Sequence, residues 1–355
     1  MRKAKRAGSL TNKLLVTAIV VGLIAIALSS YAILNPTVIY RNVTVIKNAS
    51  TANCAQLPLE CMTHQDVLQQ LQTPSNNFAW SEYAAADFYV ALTCKTLNNT
   101  APVCALPAIK KFEGVITANS TTVLNVSSYS PTGSLITPPT SLSGAPVITQ
   151  NQSFGKRLTD INAPFNSSEL SVINDAPNSY YENAGEMYFN HTLNVTIGAS
   201  APKLPLFTVN GKPTVIYLGS ITCVFCGENR WAMVLALSRF GSFSNLFKGY
   251  SAIGDADLPT IYWAPAHYNI SSTAFGSFYS SKYINFIMME DANPISAGFN
   301  LNSLSTIQQR VNNTKNTAYI YAMAYIISTK GFTGTPFTVW GAYQVGGADA
   351  VVLGT

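Results

Sequence analysis

Two cysteines separated by two residues, Cys223 and Cys226, are the strongest candidates for chemistry in this sequence. The apolar, β-branched run Thr214–Leu218 precedes them and predicts a buried strand. Apolar residues at helical spacing follow them, and Gly241 is the expected stop of that helix. The pair therefore lies where a strand turns into a helix, and the unpaired N–H groups of a helix N-terminus favour a thiolate over a thiol. We predict that Cys223 is the exposed nucleophile and Cys226 the resolving thiol of a redox dithiol.

The spacing of this pair also fits two other uses, a permanent structural disulfide and half of a metal site. The histidines His64, His191 and His267 are far apart and lack ligand spacing. A metal site is therefore disfavoured, and no cofactor is expected. The structural disulfide stays open as an alternative at this point.

A proline later in the chain favours the redox interpretation. Gly334-Thr335-Pro336-Phe337 leads into the strand-like run Thr338–Trp340. Thioredoxin-like folds place a cis-proline opposite the dithiol, before an antiparallel strand, and only X-Pro bonds adopt cis at low cost. Pro336 fits that place, and Thr335 would then offer its backbone to a bound peptide.

Three further residues are candidates for supporting roles at the dithiol. Phe225 and Phe337 are expected to form an apolar rim that holds an unfolded chain. Glu228 could take up or deliver a proton during thiol–disulfide exchange, but an acid near a helix N-terminus also simply favours the helix dipole. Both interpretations of Glu228 stay open.

The dithiol stretch carries a family resemblance. The sequence PTVIYLGSITCVFCGENRWAMVLALSRFG, with GTPFTVWG later, resembles a thioredoxin-like family of archaea and actinobacteria called domain of unknown function 929. Helices of that family typically read C-P-Y-C followed by E-R-W or E-N-R-W. This chain has Val224-Phe225 in place of Pro-Tyr, so a redox potential does not transfer. The resemblance implies the fold and the dithiol more than any substrate.

A second stretch resembles the same family in an unexpected place. Family members carry a segment similar to THQDVLQQL…AADFYVALTCKTLNNTAPVCALPAI after the proline-led strands, whereas here it precedes the dithiol. A thioredoxin fold needs a final helix over one sheet face, and nothing after Gly347 is long enough to supply it. We therefore predict a circular permutation in which the predicted helix Glu82–Leu97 packs as that helix. The alternative is an independent helical hairpin with accidental similarity.

Two of the six cysteines lie in this second segment and two lie just before it. Cys94 with Cys104, and Cys54 with Cys61, are the preferred pairs among fifteen possible pairings. Outside the membrane such pairs persist as disulfides and constrain the unfolded chain.

The N-terminus has the pattern of a membrane anchor. Met1–Lys13 carries five basic residues and no acid, and Leu14–Leu34 contains no charge. That apolar run is long enough to cross a hydrocarbon core of roughly 30 Å, and its basic flank favours the cytoplasmic side. A cleavable signal peptide is the alternative, although its apolar region usually spans only about 7–15 residues. The predicted location is the cell membrane, with one span and an extracellular C-terminal domain.

The composition agrees with such a location. Of 21 basic residues five lie in the N-terminal tip, which leaves 16 against 16 acidic residues and argues against a nucleic-acid partner. Charged residues make up only 10% of the chain, against a usual ~25%, which suggests the hypothesis of an acidic habitat. Many N-x-S/T triplets indicate a glycosylated surface. These triplets begin at Asn42, Asn48, Asn98, Asn119, Asn125, Asn151, Asn166, Asn190, Asn194, Asn269 and Asn312.

The sequence thus predicts an α/β protein with a thioredoxin-like fold behind an N-terminal transmembrane helix. The predicted activity is thiol–disulfide exchange on secreted proteins, as an oxidase or isomerase, with an unidentified redox partner that recycles the dithiol. Two alternatives are a non-enzymatic glycosylated surface module and a metal chaperone. The predicted segments are a basic tip (1–13), the anchor (14–34), a stalk with a helical disulfide segment (35–113), a Ser/Thr/Pro-rich linker (114–170) and the thioredoxin-like domain (171–355).

Overall fold

The protein has a mixed α/β fold, seen here in a computed structural model. All the residues that the structure describes lie in one compact unit, Asn53–Thr355. The predicted anchor Leu14–Leu34 and the residues Cys54, Thr335 and Pro336 lie outside the described residues. The described residues are 59–116, 160–193, 197, 206–220, 223–251, 258–263, 279–291, 337–340 and 343–346.

The first half of the described chain is helical, and all the described strands lie in the second half, with one described α-helix among them. The described α-helices are α1 (His64–Gln72), α2 (Asn77–Thr96), α3 (Pro107–Val115), α4 (Ser167–Asn174), α5 (Asn178–Phe189) and α6 (Val224–Ser238). The described strands are β1 (Thr208–Val209), β2 (Lys212–Ser220), β3 (Gly241–Phe243), β4 (Phe247–Ser251), β5 (Leu258–Tyr262), β6 (Tyr279–Ser281), β7 (Asn285–Asp291), β8 (Phe337–Trp340) and β9 (Tyr343–Gly346).

Side-chain caps determine where the first two helices begin. The Thr63 hydroxyl accepts from the Asp66 amide at 3.2 Å, and the Asp66 carboxylate accepts from the Thr63 amide at 2.8 Å. This capping box starts α1 at His64. Asn76 caps α2 in the same way, because its Oδ1 accepts from the Ala79 amide at 3.1 Å. That cap starts α2 at Asn77, ahead of the predicted start at Glu82.

The main sheet is built around β2. Strand β7 pairs with β2 in parallel, from Thr214 opposite Asn285 onward. Strand β8 pairs with β2 antiparallel, with Leu218 opposite Phe337, and β9 pairs antiparallel with β8. The strand order is therefore β7-β2-β8-β9, and β1 joins β2 through a tight hairpin.

That hairpin turns at Asn210-Gly211. Both residues have positive φ, 52° and 72°. Two successive positive φ values are the requirement of a type I′ turn, which Asn-Gly meets at the least steric cost. The turn therefore brings β1 back along the start of β2.

Two antiparallel sheets of two strands each lie outside the main sheet. Strand β3 pairs with β6, and β4 pairs with β5. The segment that precedes α4 extends the β4–β5 sheet. The Asn162 amide donates to the Lys248 carbonyl, and the Lys248 amide donates to the Ala163 carbonyl, both at 2.8 Å. These two hydrogen bonds attach the segment that precedes α4 to strand β4.

One apolar core joins the helical segment to the dithiol segment. Helix α2 packs against α6 and contacts β8. Phe88, Val90 and Leu92 of α2 are buried in the same cluster as Trp231 and Val234 of α6. Absence of such packing would have excluded the predicted permutation, so that prediction stays open and testable.

The disulfide predictions concern the ends of this helical segment. A disulfide joins Cys94 to Cys104, which confirms that predicted pair. Cys61 is also disulfide-bonded, and its predicted partner Cys54 is outside the described residues. In the part of the chain that the structure describes, no helix has both the length and the apolarity needed to cross a membrane.

Gly185→Ala is expected to lower the free energy of unfolding by about 1–3 kcal/mol, the usual cost of overpacking. A Cβ at Gly185 in α5 would stand 2.5 Å from the Cβ of Ala108 in α3 and 3.1 Å from Asp87 Oδ2 in α2. Gly114→Ala is the matched control, because no atom lies within 4 Å of its Cβ position. It should leave stability unchanged or raise it by up to about 1 kcal/mol. Chemical denaturation of both variants checks this, and equal midpoints would contradict it.

Candidate functional site

The two cysteines lie at a strand-to-helix corner. Strand β2 ends at Ser220, and α6 begins at Val224 with Cys223 as its N-cap. The Cys226 amide donates to Cys223 Sγ at 3.3 Å. The sulfur thus takes the place that a hydroxyl or carboxylate oxygen occupies in an ordinary cap, and it faces the positive end of the helix dipole.

The two thiols differ in exposure. Cys223 is half-buried, whereas Cys226 is 0% exposed. Neither takes part in a disulfide. Phe225, between them in sequence, is 42% exposed, which is unusual for a large apolar side chain. The corner therefore presents one accessible sulfur and an apolar surface, with the second sulfur beneath.

Strands β4 and β5 hold the first turn of α6. Thr260 Oγ1 in β5 donates to the Gly227 carbonyl at 2.7 Å. A Cβ at Gly227 would stand 2.7 Å from both Cβ and Oγ of Ser251 in β4. The absence of a side chain at Gly227 therefore lets β4 approach directly beside Cys226. Arg230, one turn further along α6, donates to the same two hydroxyls.

Helix α2 covers another side of α6. Asn229 Nδ2 donates to the Tyr89 hydroxyl at 2.5 Å, and burial is the main cause that raises the pKa of Tyr89. Glu82 of α2 is fully buried. Burial, and secondly the charge of Glu228, raise the pKa of Glu82, while the backbone of Ala232 opposes the increase. Glu82 is thus held as a neutral acid against the dithiol helix.

Of the remaining predicted site residues, Glu228 lies on α6 and Phe337 on the main sheet. Glu228 is half-buried on α6 and interacts electrostatically with Glu82. Phe337 begins β8 opposite Leu218. Because β2 runs from Leu218 towards Cys223, the start of β8 is at the end of the sheet from which the chain enters the dithiol turn. Thr335 and Pro336 immediately precede Phe337 in sequence and are among the residues not described.

A family match covers this site. Residues 205–335 match the family model described as “Domain of unknown function (DUF929)”. Over this segment the chain is similar to that family. The resemblance predicted from the dithiol stretch is therefore confirmed. No curated protein and no solved structure matches the chain.

The DUF929 match includes the elements that surround the dithiol, from β1 to β7, and ends just before β8. It does not extend to α1, α2 and α3. The family description carries no activity. What this site does must therefore be argued from its own residues.

The sequence predicted no role for five residues that lie on or against α6: Glu82, Tyr89, Arg230, Ser251 and Thr260. One signal was present. Glu82 and Arg230 are charged residues within apolar helices, and such residues are buried only when the fold uses or neutralises them. Among the described residues, no group of three or more His, Cys, Asp or Glu side chains could hold a metal ion.

Proposed function

We propose that this protein is a thiol–disulfide oxidoreductase that acts on the thiols and disulfides of other proteins. A single observation carries the proposal: one half-buried sulfur caps a helix while a second, fully buried sulfur lies in the same turn. A helix N-terminus favours the thiolate of Cys223. The neighbouring Cys226 is within reach to close a disulfide.

Exchange at this corner would take two steps. A thiolate of the substrate attacks Cys223 Sγ in the Cys223–Cys226 disulfide, forms a mixed disulfide and releases Cys226 as a thiolate. A second substrate thiolate then attacks the substrate sulfur of the mixed disulfide and releases Cys223. The substrate has lost two electrons and gained a disulfide, and this protein has gained both electrons as a dithiol. The same steps in reverse reduce a substrate disulfide.

The sheet supports a thioredoxin-like core as part of this proposal. In such a core, a strand, a dithiol helix and a parallel strand are followed by two antiparallel strands. The order β7-β2-β8-β9, with β7 parallel and β8 antiparallel to β2, agrees with it. The packing of α2 against α6 and β8 agrees with a permuted final helix.

The proposed place of action is the outer side of the cell membrane, with Leu14–Leu34 as the anchor. There, oxidation or isomerisation of secreted proteins is expected, because reduction requires electrons carried across the membrane. Turnover as an oxidase requires a disulfide-bearing partner that accepts the two electrons. Phe225, exposed beside the dithiol, would contact unfolded substrate chains.

The Cys226→Ala variant is expected to accumulate mixed disulfides with reduced, unfolded proteins in a buffer that contains oxidised glutathione. Oxidised glutathione forms a mixed disulfide with Cys223, a substrate thiolate displaces reduced glutathione from it, and no Cys226 thiol is present to release the bound substrate. Cys223→Ala should accumulate none. Trapping, followed by separation on a non-reducing gel and mass spectrometry at Cys223, measures this. Equal trapping by both variants would contradict the proposal. So would a Cys223–Cys226 disulfide in the wild-type protein that dithiothreitol does not reduce, and either result would favour a surface module.

A further inference from the structure

A buried arginine lies beneath the dithiol. Arg230 follows Cys226 by four residues on α6, so the two side chains share one face of the helix, with Cβ atoms about 5–6 Å apart. Helical side chains point back towards the N-terminus. Arg230 is therefore directed at the turn that carries Cys226.

The hydrogen bonds of Arg230 locate its charge. Its Nη1 donates to Ser251 Oγ at 3.1 Å and to Thr260 Oγ1 at 3.4 Å. Those two hydroxyls meet α6 at Gly227: Ser251 Oγ lies 2.7 Å from the position of a Gly227 Cβ, and Thr260 Oγ1 donates to the Gly227 carbonyl. The guanidinium thus reaches the level of Gly227, the residue that follows Cys226.

Burial makes this charge effective. Arg230, Ser251, Thr260 and Cys226 are each 0% exposed. Charges withdrawn from water interact more strongly and are screened less by salt. A guanidinium also keeps its charge at any pH that the protein meets.

Other titratable groups surround this position on each packed element. On the α2 side, Glu82 is held neutral by burial, and Glu228 lies on a different face of α6 from Arg230. On the side of β4 and β5, His64 contacts the Thr260 carbonyl and is paired with Asp160. Arg230 is the cation on the face of α6 that carries Cys226.

We propose that Arg230 is a positioning residue that stabilises Cys226 as a thiolate, which makes the dithiol an oxidant of substrate thiols. This inference rests on the proposed function. When a substrate thiolate attacks Cys223, Cys226 leaves with the electron pair of the broken S–S bond, and a leaving thiolate of lower pKa leaves faster. A stabilised dithiolate state also favours the reduced form, which is the property of a strong oxidant.

The test compares Arg230→Gln with Arg230→Lys in the full chain purified in detergent. Glutamine keeps hydrogen bonding to the two hydroxyls but removes the charge, and lysine keeps the charge. In Arg230→Gln, the apparent pKa of the dithiol, from thiolate absorbance against pH, should rise by about 1–2 units. The equilibrium constant with glutathione should move roughly 10- to 100-fold towards the disulfide, or about 30–60 mV. Arg230→Lys should recover most of both changes.

Arg239→Gln is the matched control, because this arginine caps the opposite end of α6, where it donates to the Ala176 and Asn174 carbonyls. It should leave both dithiol readouts unchanged. A folded Arg230→Gln with unaltered pKa and equilibrium constant overturns the inference. The pKa readout needs no substrate, so failure of the proposed enzyme activity is distinguishable from failure of this inference.

A second measurement does not depend on the folding of an Arg230 variant. In Cys223→Ser, the rate of Cys226 alkylation against pH should have a midpoint below about 8.5, the value of a free cysteine. Burial in apolar surroundings alone would place the midpoint above that value. A midpoint at or above 8.5 overturns the inference.

Discussion

Replacing His64 with leucine is expected to lower the free energy of unfolding by about 2–4 kcal/mol, the cost of leaving a half-buried carboxylate and two buried carbonyls without this hydrogen-bond partner. His64 is 1% exposed. Its Nδ1 lies 3.0 Å from Asp160 Oδ2, and its Nε2 lies 2.9 Å from the carbonyls of both Gly249 and Thr260. One side chain therefore joins α1, the segment before α4 and the β4–β5 sheet.

Leucine would remove the hydrogen-bond partner of three groups. A carbonyl can only accept, so Nε2 carries a hydrogen. Burial alone raises the pKa of Asp160, but the hydrogen bond and charge of His64, the Tyr250 hydroxyl and the charge of Lys248 outweigh it and lower that pKa. Leucine would therefore leave this carboxylate without one of its partners, and the carbonyls of Gly249 and Thr260 without the ring N–H.

Urea denaturation at pH 6 measures the effect of His64→Leu. His191→Asn is the matched control, because His191 is exposed and has a φ of 56°, which asparagine tolerates. The control should change stability by less than about 0.5 kcal/mol. A His64→Leu variant as stable as this control would show that the hydrogen bonds of His64 contribute nothing to the free energy of unfolding.

The protein is expected to be several kcal/mol more stable at pH 4.5 than at pH 7.5. Glu82 and Asp87 are fully buried on α2. Burial is the main cause that raises both pKa values, with further increases from the charge of Glu228 on Glu82 and of Glu182 on Asp87. Asp87 has no side-chain hydrogen-bond partner among the described residues, and the backbone of Ala232 only opposes part of the increase at Glu82.

The sign follows from where the protons are bound. Between the unfolded pKa, near 4, and the raised folded pKa, the folded state keeps the proton and the unfolded state loses it. Stability therefore falls as pH rises through this window, by up to about 1.4 kcal/mol per pH unit for each group. Asp160 has the opposite sign, because its pKa is lowered: its contribution is present above the unfolded pKa and is lost only at lower pH.

Denaturation from pH 4.5 to 7.5 checks this prediction. The double variant Glu82→Gln, Asp87→Asn should remove most of the slope, whereas Glu186→Gln, at an exposed glutamate of α5, should retain it. Stability that is flat or rises with pH in the wild-type chain would refute the prediction. The same series tests the hypothesis of an acidic habitat.

Local patterns in the sequence determined much of the fold. The strand–dithiol–helix order and the disulfide Cys94–Cys104 were each predicted from residues close together in the chain. Helix caps, hydrophobic periodicity and short loops each depend on only a few consecutive residues. They can therefore be predicted without knowing the tertiary contacts of those residues. Where a local signal was overlooked, at the Asn76 cap, the predicted helix began too late.

Long-range pairings were decided only by the tertiary structure. Nothing near His64 in sequence indicates a partner at Asp160, and nothing near Arg230 indicates the hydroxyls of Ser251 and Thr260. The dithiol sequence shows where sulfur chemistry would take place, but the side chains packed around its helix come from α2, β4 and β5. The positions of these side chains depend on which faces of the helices and strands pack together. That packing is determined by the whole core and not by any short stretch of sequence.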